Sequence, residues 1–471
     1  MPALTKDPKR EIIEDFAKEI RERRMQTAKP STEVINFRTD IHDGKERTVW
    51  KVPIEFLRFR KDNGRIASDV LDYKLNTGIL DEKDDEAQAQ IARFLEEKDP
   101  KKTEDLRFSI LHSGQRDPAI ITCDGFLING NRRKMVMDQL HRDHPGNANF
   151  AYMKVVILPG KGDEGAPPTL VEIEKIENRY QLQSDGKSEY YGFDRALSIK
   201  RKMDLGLSLE EQLADDPRYV RANKAGLEKV VREYERDYLS PLECVDRYLR
   251  QFKQEGQYRS ISTGMSDREG RWQAFTDYSH SYQRDFGNPK KIIEYGIEED
   301  EIGAIEEAAF DIIRLRTIPD MPKVHQIMRE LPKYCRIREG KKEILKIAEK
   351  VDPVLPWEEC QGADGKPLAL ADVDARWMAK NRQAIIYHTK KASQAYESHK
   401  EKETPLGLLE AAYKKLTHED MDVNAIAVAD FGKARELAAR VKTRASELEG
   451  EIYHCEKDAK DLKKKLGQRE K

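Results

Sequence analysis

The residues with the clearest capacity for chemistry in this sequence are four consecutive ones: Gly130, Asn131, Arg132 and Arg133. They follow a β-rich run at 126–128 and precede apolar residues whose spacing suits a helix. A strand, glycine and helix in direct succession aim unpaired backbone N–H groups and the positive end of the helix dipole at one point. This junction predicts a phosphate site. The alternative is an ordinary turn followed by two solvated arginines.

A second chemical set lies on a predicted helix at 172–183. Glu174 and Glu177 are three residues apart and so share one face of that helix, and Asn178 follows them. Carboxylate and amide oxygens suit a hard cation such as Mg²⁺. The alternative is a charged helix whose polar residues are simply exposed.

Short strands and turns must position these residues. Runs at 120–123 and 126–128 are separated by Asp124-Gly125, which predicts a two-residue hairpin turn. Further strands are predicted at 34–37, 48–52 and 155–158. Asp7-Pro8 predicts the start of a helix that ends before Pro30. The acidic run 81–86 predicts a solvated loop leading into a helix at 91–95.

The stretch 106–140 resembles a known domain family. Ser109-Ile110, Gly114-Gln115, Asp117-Pro118, the hairpin and the Gly130 loop are together similar to the N-terminal domain of the ParB/sulfiredoxin-like superfamily. The resemblance covers about 52–183 and extends weakly to 257. In ParB proteins this loop usually reads Gly-Glu-Arg-Arg and holds nucleotide phosphates, and Asn131 stands in the place of the glutamate. A sulfiredoxin would carry a cysteine at that place, so peroxiredoxin repair is not expected.

The resemblance implies a nucleoside triphosphate, ATP or CTP, and Mg²⁺ as cofactors. Glu177-Asn178 is similar to the ParB motif Glu-Asn-x-Gln-Arg, although Gln181 comes one residue late and no arginine follows it. Arg65 ends a segment similar to one that approaches the nucleotide in ParB relatives. The implied magnesium ligands are Glu174, Glu177 and Asn178, with Glu177 the candidate catalytic residue. The implied nucleotide-binding residues are Arg65, Gly130, Asn131, Arg132, Arg133, Asn178 and Gln181.

The region after the core is predicted to be helical and resembles the helix-turn-helix region of ParB proteins. Ser208 and Glu211 form a capping box, and Asp216-Pro217 predicts the next helix start. Basic side chains in this region are candidates for DNA contacts: Arg218, Arg221, Lys224, Lys229 and Arg232. Acidic residues between them nearly cancel their charge, so a purely structural helical module is the alternative.

The last hundred residues contain the strongest periodic pattern of the chain. Apolar residues recur with three-four spacing at 431, 434, 438, 441, 445, 448, 452, 455, 459, 462 and 466, which we call the seam. This spacing predicts a coiled coil. The resemblance to ParB proteins, which commonly dimerise through their C-terminal part, favours homodimerisation through the seam. A return hairpin with the helix carrying Trp377, Ile385 and Ala392 is the alternative.

Composition limits the classes of function. The 471 residues are 37% charged with a formal net charge of −2, so any DNA-binding surface must be a local patch. Neither a long apolar run nor a signal pattern is present, which predicts a cytoplasmic protein without a membrane partner. Five scattered cysteines without a CxxC pair argue against a disulfide framework and a cysteine-rich zinc site.

The expected fold is α+β: a ParB/sulfiredoxin-like core followed by a mostly α-helical half that ends in a coiled-coil helix. The expected domains are an N-terminal helix and hairpin at 1–51, the nucleotide-binding core at 52–186, a helical domain at 187–352, and a helical coiled-coil region at 368–471. The leading hypothesis is a DNA-associated protein, in DNA partition or phage defence, that binds a nucleoside triphosphate as a conformational switch. The sequence leaves open whether it is also an NTPase. The alternatives are a metal-dependent ParB-like nuclease, and a non-catalytic scaffold or regulator that retains the ParB-like fold. A protein partner is considered in addition to DNA.

Overall fold

A computed structural model describes most of the chain. The described residues are 9–27, 29, 31–98, 100–182, 192–214, 216, 219, 223–262, 271–352, 354, 360–362, 368, 370–418 and 421–467. They form two compact units, Met1–Tyr396 and Glu397–Lys471. The finer domain boundaries at 52, 187 and 368 stay predictions.

The fold is α+β, mostly helical with one small mixed sheet. Its strands are β1 (Met25–Gln26), β2 (Thr32–Glu33), β3 (Arg47–Pro53), β4 (Ala119–Ile121) and β5 (Tyr152–Ile157). The order is β1-β3-β5-β4, with β2 paired to β3 outside this path. Only the β4–β5 pair is parallel among these strands.

The helices of the first half of the chain begin at residue 14 and end at residue 234. They are α1 (Glu14–Arg23), α2 (Asp40–Asp43), α3 (Ala67–Asn76), α4 (Asp85–Lys98), α5 (Pro100–Ser113), α6 (Asn131–Asp143), α7 (Leu170–Leu182), α8 (Gly192–Asp204), α9 (Leu209–Ala214) and α10 (Lys224–Tyr234).

The remaining helices fill the second half. They are α11 (Ser240–Gln251), α12 (Arg259–Ser262), α13 (Trp272–Ser281), α14 (Pro289–Tyr295), α15 (Glu299–Leu315), α16 (Val324–Arg336), α17 (Arg338–Lys350), α18 (Leu370–Leu416) and α19 (Phe431–Gly467). Among the described residues, none of these helices is long and apolar enough to cross a bilayer.

Alternating side chains of the strands build two cores, one on each face of the sheet. Ile121 and Val155 pack on one face with residues of α4 and α6. Ile120 and Val156 pack on the other face with Ile173 of α7. The helices α6 and α7, which carry the two predicted chemical sets, are therefore held on opposite faces of the sheet.

The predicted hairpin is present, with a longer turn than expected. Thr122 N–H donates to Phe126 O at 2.9 Å, and Gly125 N–H donates to Thr122 O at 3.0 Å. Three residues, 123–125, rather than two therefore connect the two sides of the hairpin. Gly125 has φ +86°, and a Cβ there would lie 2.6 Å from the Phe56 carbonyl oxygen, so only glycine fits this turn.

Two local predictions near the N-terminus are wrong. The helix expected from Asp7-Pro8, which lie outside the described residues, begins instead at Glu14. The buried Asp124 carboxylate binds Arg10 and accepts a hydrogen bond from Ile13 N–H, which holds the chain before α1 in a non-helical conformation. No strand forms at 34–37, because Phe37 N–H donates to Ile35 O and so closes a three-residue turn.

The second half packs a separate helical core. The aromatic residues Trp272, Phe275 and Tyr278 are buried in it. Trp377, Ile385 and Ala392 of α18 are buried in the same core. The stripe that the alternative return hairpin would use is therefore part of this helical core, and the return hairpin itself stays a prediction.

Candidate functional site

The turn into α6 requires a glycine. Gly130 has φ +83°, a left-handed conformation that L side chains rarely adopt. A Cβ on this residue would lie 2.9 Å from Ala119 Cβ and 3.3 Å from Met153 Cε. The close packing of the turn on strands β4 and β5 thus fixes where α6 begins and the direction in which its first turn faces.

The N-terminus of α6 has no side-chain cap. Gly130 offers no capping oxygen, and the backbone bond from Lys134 N–H to Gly130 O, at 2.9 Å, closes the first turn. The N–H groups of the three preceding residues have no acceptor within the helix. Together with the helix dipole they make this end of α6 attractive to an anion.

Asn131 is a buried polar residue at this helix end. Its side chain is 5% exposed and donates from Nδ2 to Leu127 O at 3.5 Å. Its Oδ1 is buried without a hydrogen-bond partner among the described residues. A buried oxygen or nitrogen in this state costs free energy, so the amide is a strong candidate to contact a ligand.

A cleft of about 500 Å³ opens at the N-terminus of α6. We call it the α6 cleft, and its volume lies in the range of small-molecule sites. It carries four basic side chains and one carboxylate, and this excess of positive charge favours an anionic ligand. Its lining consists of Asn63, Arg65, Lys102, Asp105, Leu106, Ser109, Ile128, Asn129, Gly130, Asn131, Arg132, Arg133 and Tyr180.

Arg133 is held at the edge of the cleft by a backbone contact. Its guanidinium donates a hydrogen bond to the carbonyl oxygen of Asp117. Burial lowers the pKa of Arg133, and the Asp117 carboxylate offsets this only in part. The guanidinium remains charged at neutral pH, as arginine side chains do in proteins. A phosphate would supply the full counter-charge that this arginine lacks.

Arg65 and Asn63 reach the cleft from a loop that α7 holds in place. Asn63 Oδ1 accepts a hydrogen bond from Arg65 N–H at 3.0 Å. The N–H of Gly64, between them, donates to Glu177 Oε1 at 3.2 Å. Glu177 is therefore a positioning residue for this loop, and it does not line the cleft.

Glu174 is the centre of a buried ion-pair network. Its side chain is 2% exposed and pairs with Arg60 at 2.7 Å and with Arg201 of α8. Burial alone would raise the pKa of Glu174, but Arg201 and Arg60 lower it below the usual value. Burial alone would lower the pKa of Arg60, but Glu174 and Glu177 raise it above the usual value. We call Arg60, Glu174, Glu177 and Arg201 the carboxylate network.

These contacts do not fit a magnesium site. The carboxylates of Glu174 and Glu177 already face guanidinium groups, and a cation there would have to displace them. Asn178 Oδ1 accepts from Lys202 at 3.1 Å, and its Nδ2 donates to Gln212 O at 2.9 Å. The described residues contain no group of three or more His, Cys, Asp or Glu that could hold a metal ion.

The remaining carboxylate of α7 is also engaged. Glu172 pairs with Arg38 at 2.7 Å and accepts a hydrogen bond from Thr169 N–H at 2.9 Å. A metal-dependent nuclease would need clustered carboxylates such as these three, which serve as structural contacts in this arrangement. Gln181 lies within α7, but its side chain is outside the described part of the structure.

The predicted DNA-binding residues are described in part. Arg218 and Arg221 lie outside the described residues. Lys224, Lys229 and Arg232 are exposed on α10, whose apolar face packs against α9. The capping box before α9 is confirmed: Ser208 N–H donates to Glu211 Oε2 at 2.9 Å, and Glu211 N–H donates to Ser208 Oγ at 3.2 Å.

The structure thus brings Arg65 together with Gly130, Asn131, Arg132 and Arg133, and it separates Asn178 from them. Sequence reasoning did not assign the wall of the cleft that α5 provides. Lys102, Asp105 and Ser109 recur at helical spacing on one face of α5, a signal that was present in the sequence. Tyr180 of α7 was also missed.

Comparisons of this chain with protein-family models, with curated proteins and with solved structures found no match.

Proposed function

We propose that the α6 cleft binds a nucleoside triphosphate and that the chain is a ParB-like, DNA-associated protein. The observation that carries the proposal is the convergence of Arg65, Arg132 and Arg133 on the uncapped N-terminus of α6, in a cleft of about 500 Å³. Backbone N–H groups and arginines are the two main phosphate ligands in proteins.

The composition of the cleft supports a nucleotide rather than a lone phosphate. Phosphates fit the positive end formed by the first turn of α6, Arg132 and Arg133. The lining also offers Tyr180 for stacking and polar side chains, including Ser109, for hydrogen bonds. The ParB-like resemblance places the same glycine-arginine loop at a nucleotide site.

The proposal assigns no protein ligands to magnesium and no hydrolytic residue. Glu177 remains a predicted catalytic residue, while its observed contact with Gly64 N–H supports a positioning role. The DNA contact is proposed for the exposed face of α10. A role in DNA partition or phage defence is compatible with a nucleotide-dependent switch of this kind.

One observation favours a second candidate, a scaffold that keeps the fold without nucleotide chemistry. The residues that the resemblance assigns to the metal and the triphosphate, Glu174, Glu177 and Asn178, are engaged in internal contacts. A protein that no longer binds a metal nucleotide would tolerate this arrangement.

Calorimetric titration of the full chain with ATP, CTP and GTP, each with and without Mg²⁺, separates the two candidates. Saturable one-to-one binding of one nucleotide supports the proposal, and competition by inorganic triphosphate would show that the phosphates supply the affinity. Absence of heat for all three nucleotides, with the protein folded by circular dichroism, would favour the scaffold.

A further inference from the structure

The seam of α19 is an exposed apolar face on a long helix. α19 spans 37 residues, or roughly 55 Å at 1.5 Å per residue. Phe431, Val441 and Ile452 of the seam are 49%, 46% and 51% exposed. Cys455 and the alanines at 438, 445 and 459 are also exposed. Ala434 and Leu448 are half-buried, so most of the described seam has no cover within the chain.

The charges that flank the seam are divided by position along the helix. Three of the residues that flank the seam in the N-terminal half are basic: Arg435, Lys442 and Arg444. Acidic residues flank the seam further along the helix at Glu449, Glu451 and Glu456, and Lys463 and Lys465 flank its last turns. A helix with this division is complementary to a second copy of itself that runs in the opposite direction.

We infer that α19 pairs with α19 of a second copy of this chain, antiparallel, with Ala438 facing Cys455 of that copy. In this register the other layers are Ala434 with Ala459, Val441 with Ile452, and Ala445 with Leu448. Small residues thus meet small ones at Ala434–Ala459, and the two β-branched residues meet each other, which permits close and even packing.

Charge selects this register among the antiparallel ones. Arg435 lies opposite Glu456, Lys442 opposite Glu449, and Arg444 opposite Glu451, so each of these flanking pairs is attractive. A shift of one heptad in one direction places Lys442 and Arg444 opposite themselves. A shift in the other direction places Glu449 and Glu451 opposite themselves. Both shifts therefore bring like charges together at the centre of the pair.

A parallel, in-register pair is less well matched. It would join Arg444 to Glu449, but it would also place Glu451 beside Glu456 of the second copy. In that arrangement Cys455 would face Cys455. The position of this cysteine therefore distinguishes the two orientations chemically, and the inference does not depend on nucleotide binding.

Disulfide cross-linking of the full chain tests the pairing. The test uses a Cys360→Ser background, which removes the half-buried cysteine, and leaves Cys455 in place. Under mild oxidation the background protein is expected to stay a single chain on a non-reducing gel, because the two copies of Cys455 lie far apart. Adding Ala438→Cys is expected to give a disulfide-linked dimer that separates into single chains when a reductant is added. Adding Ala459→Cys, a substitution of the same kind on the same seam, is expected to give none.

Three results would overturn the inference. Dimer formation by Cys455 in the background protein would show a parallel pair. Equal cross-linking of Ala438→Cys and Ala459→Cys would show non-specific collision. No cross-link with Ala438→Cys, together with a single-chain mass by light scattering of the unmodified protein, would show that the seam does not pair with a second copy.

Discussion

Gly64 N–H donates a hydrogen bond to Glu177 Oε1 at 3.2 Å, and this contact joins the loop that brings Arg65 to the α6 cleft to helix α7. The residues on either side of Gly64 line the cleft, so the position of Arg65 depends on a carboxylate that lies outside it. Glu174, one turn earlier on α7, ties the same loop to α8 through Arg60 and Arg201. The site and the first helix of the helical region therefore share one buried network.

The first prediction concerns the stability contributed by this network. Glu174→Gln removes the charge that balances Arg60 and Arg201, and leaves the fully buried Arg60 poorly compensated. Loss of one partner from a buried pair costs about 3–5 kcal/mol in free energy of unfolding. Urea unfolding measures the loss, and Glu210→Gln on the exposed surface of α9 is the matched control, for which no change is expected.

The effect should depend on pH in one direction. Because the pKa of Glu174 is lowered in the folded chain, its contribution is complete above the usual glutamate value of 4.5 and is lost as the pH falls through the lowered folded value. The stability difference between the wild type and Glu174→Gln should therefore shrink on acidification below pH 4.5. A difference that stays constant down to pH 3 would contradict the network.

The second prediction concerns the turn into α6. Gly130→Ala is expected to destabilise the protein by about 1–3 kcal/mol, since alanine is strained at positive φ and its Cβ would overlap Ala119. The same substitution should weaken nucleotide binding, because the first turn of α6 would shift. Thermal unfolding and calorimetry measure the two effects. Gly146→Ala, where a Cβ meets no atom within 4 Å, should change neither.

The third prediction concerns DNA. Lys229→Ala/Arg232→Ala removes two exposed charges from α10 and is expected to weaken DNA binding. The plot of log K against the logarithm of the salt concentration should become less steep by nearly 2 for duplex DNA. Fluorescence anisotropy at several salt concentrations measures this. Lys342→Ala/Lys350→Ala on the exposed side of α17 is the control, and an equal effect of both double variants would point to general charge rather than to α10.

The fourth prediction concerns the flanking charges of α19. Lys442→Glu/Arg444→Glu places acidic residues opposite Glu449 and Glu451 of the second copy and should weaken the dimer at least tenfold. Adding Glu449→Lys/Glu451→Arg to the same chain should restore it, since every reversed pair becomes attractive again. Sedimentation equilibrium gives the dissociation constants. Failure of the fourfold variant to recover would speak against the proposed register.

Short sequence patterns predicted the parts of the site whose conformation depends on residues close together in the sequence. The Asp124-Gly125 turn and the glycine start of α6 depend on backbone conformations that few residues adopt, so their sequence signals were informative. The start of α1 was mispredicted because Asp124, more than a hundred residues away, holds Arg10 and the N–H of Ile13. Such a contact leaves no pattern within a short window of sequence.

The carboxylates of α7 illustrate the same limit. Glu174 and Glu177 had the residue types and spacing of metal ligands, yet Arg60 and Arg201 meet them from a distant loop and from α8. Sequence identifies which residues can carry charge, and only the fold decides which opposite charge each one meets. The wall contributed by α5 was missed for this reason too, because helical spacing does not tell which face borders a cleft.

The central claim is that the arginines at the start of α6 bind the phosphates of a nucleotide. The decisive measurement is calorimetric titration of the best nucleotide into the wild type, Arg132→Ala/Arg133→Ala, and Arg142→Ala, an exposed arginine in the last turn of the same helix. Two charge-assisted contacts of about 1.5 kcal/mol or more each predict a loss of about a hundredfold or more in affinity for the double variant. Arg142→Ala should bind as the wild type does. Equal affinity of all three proteins would contradict the account.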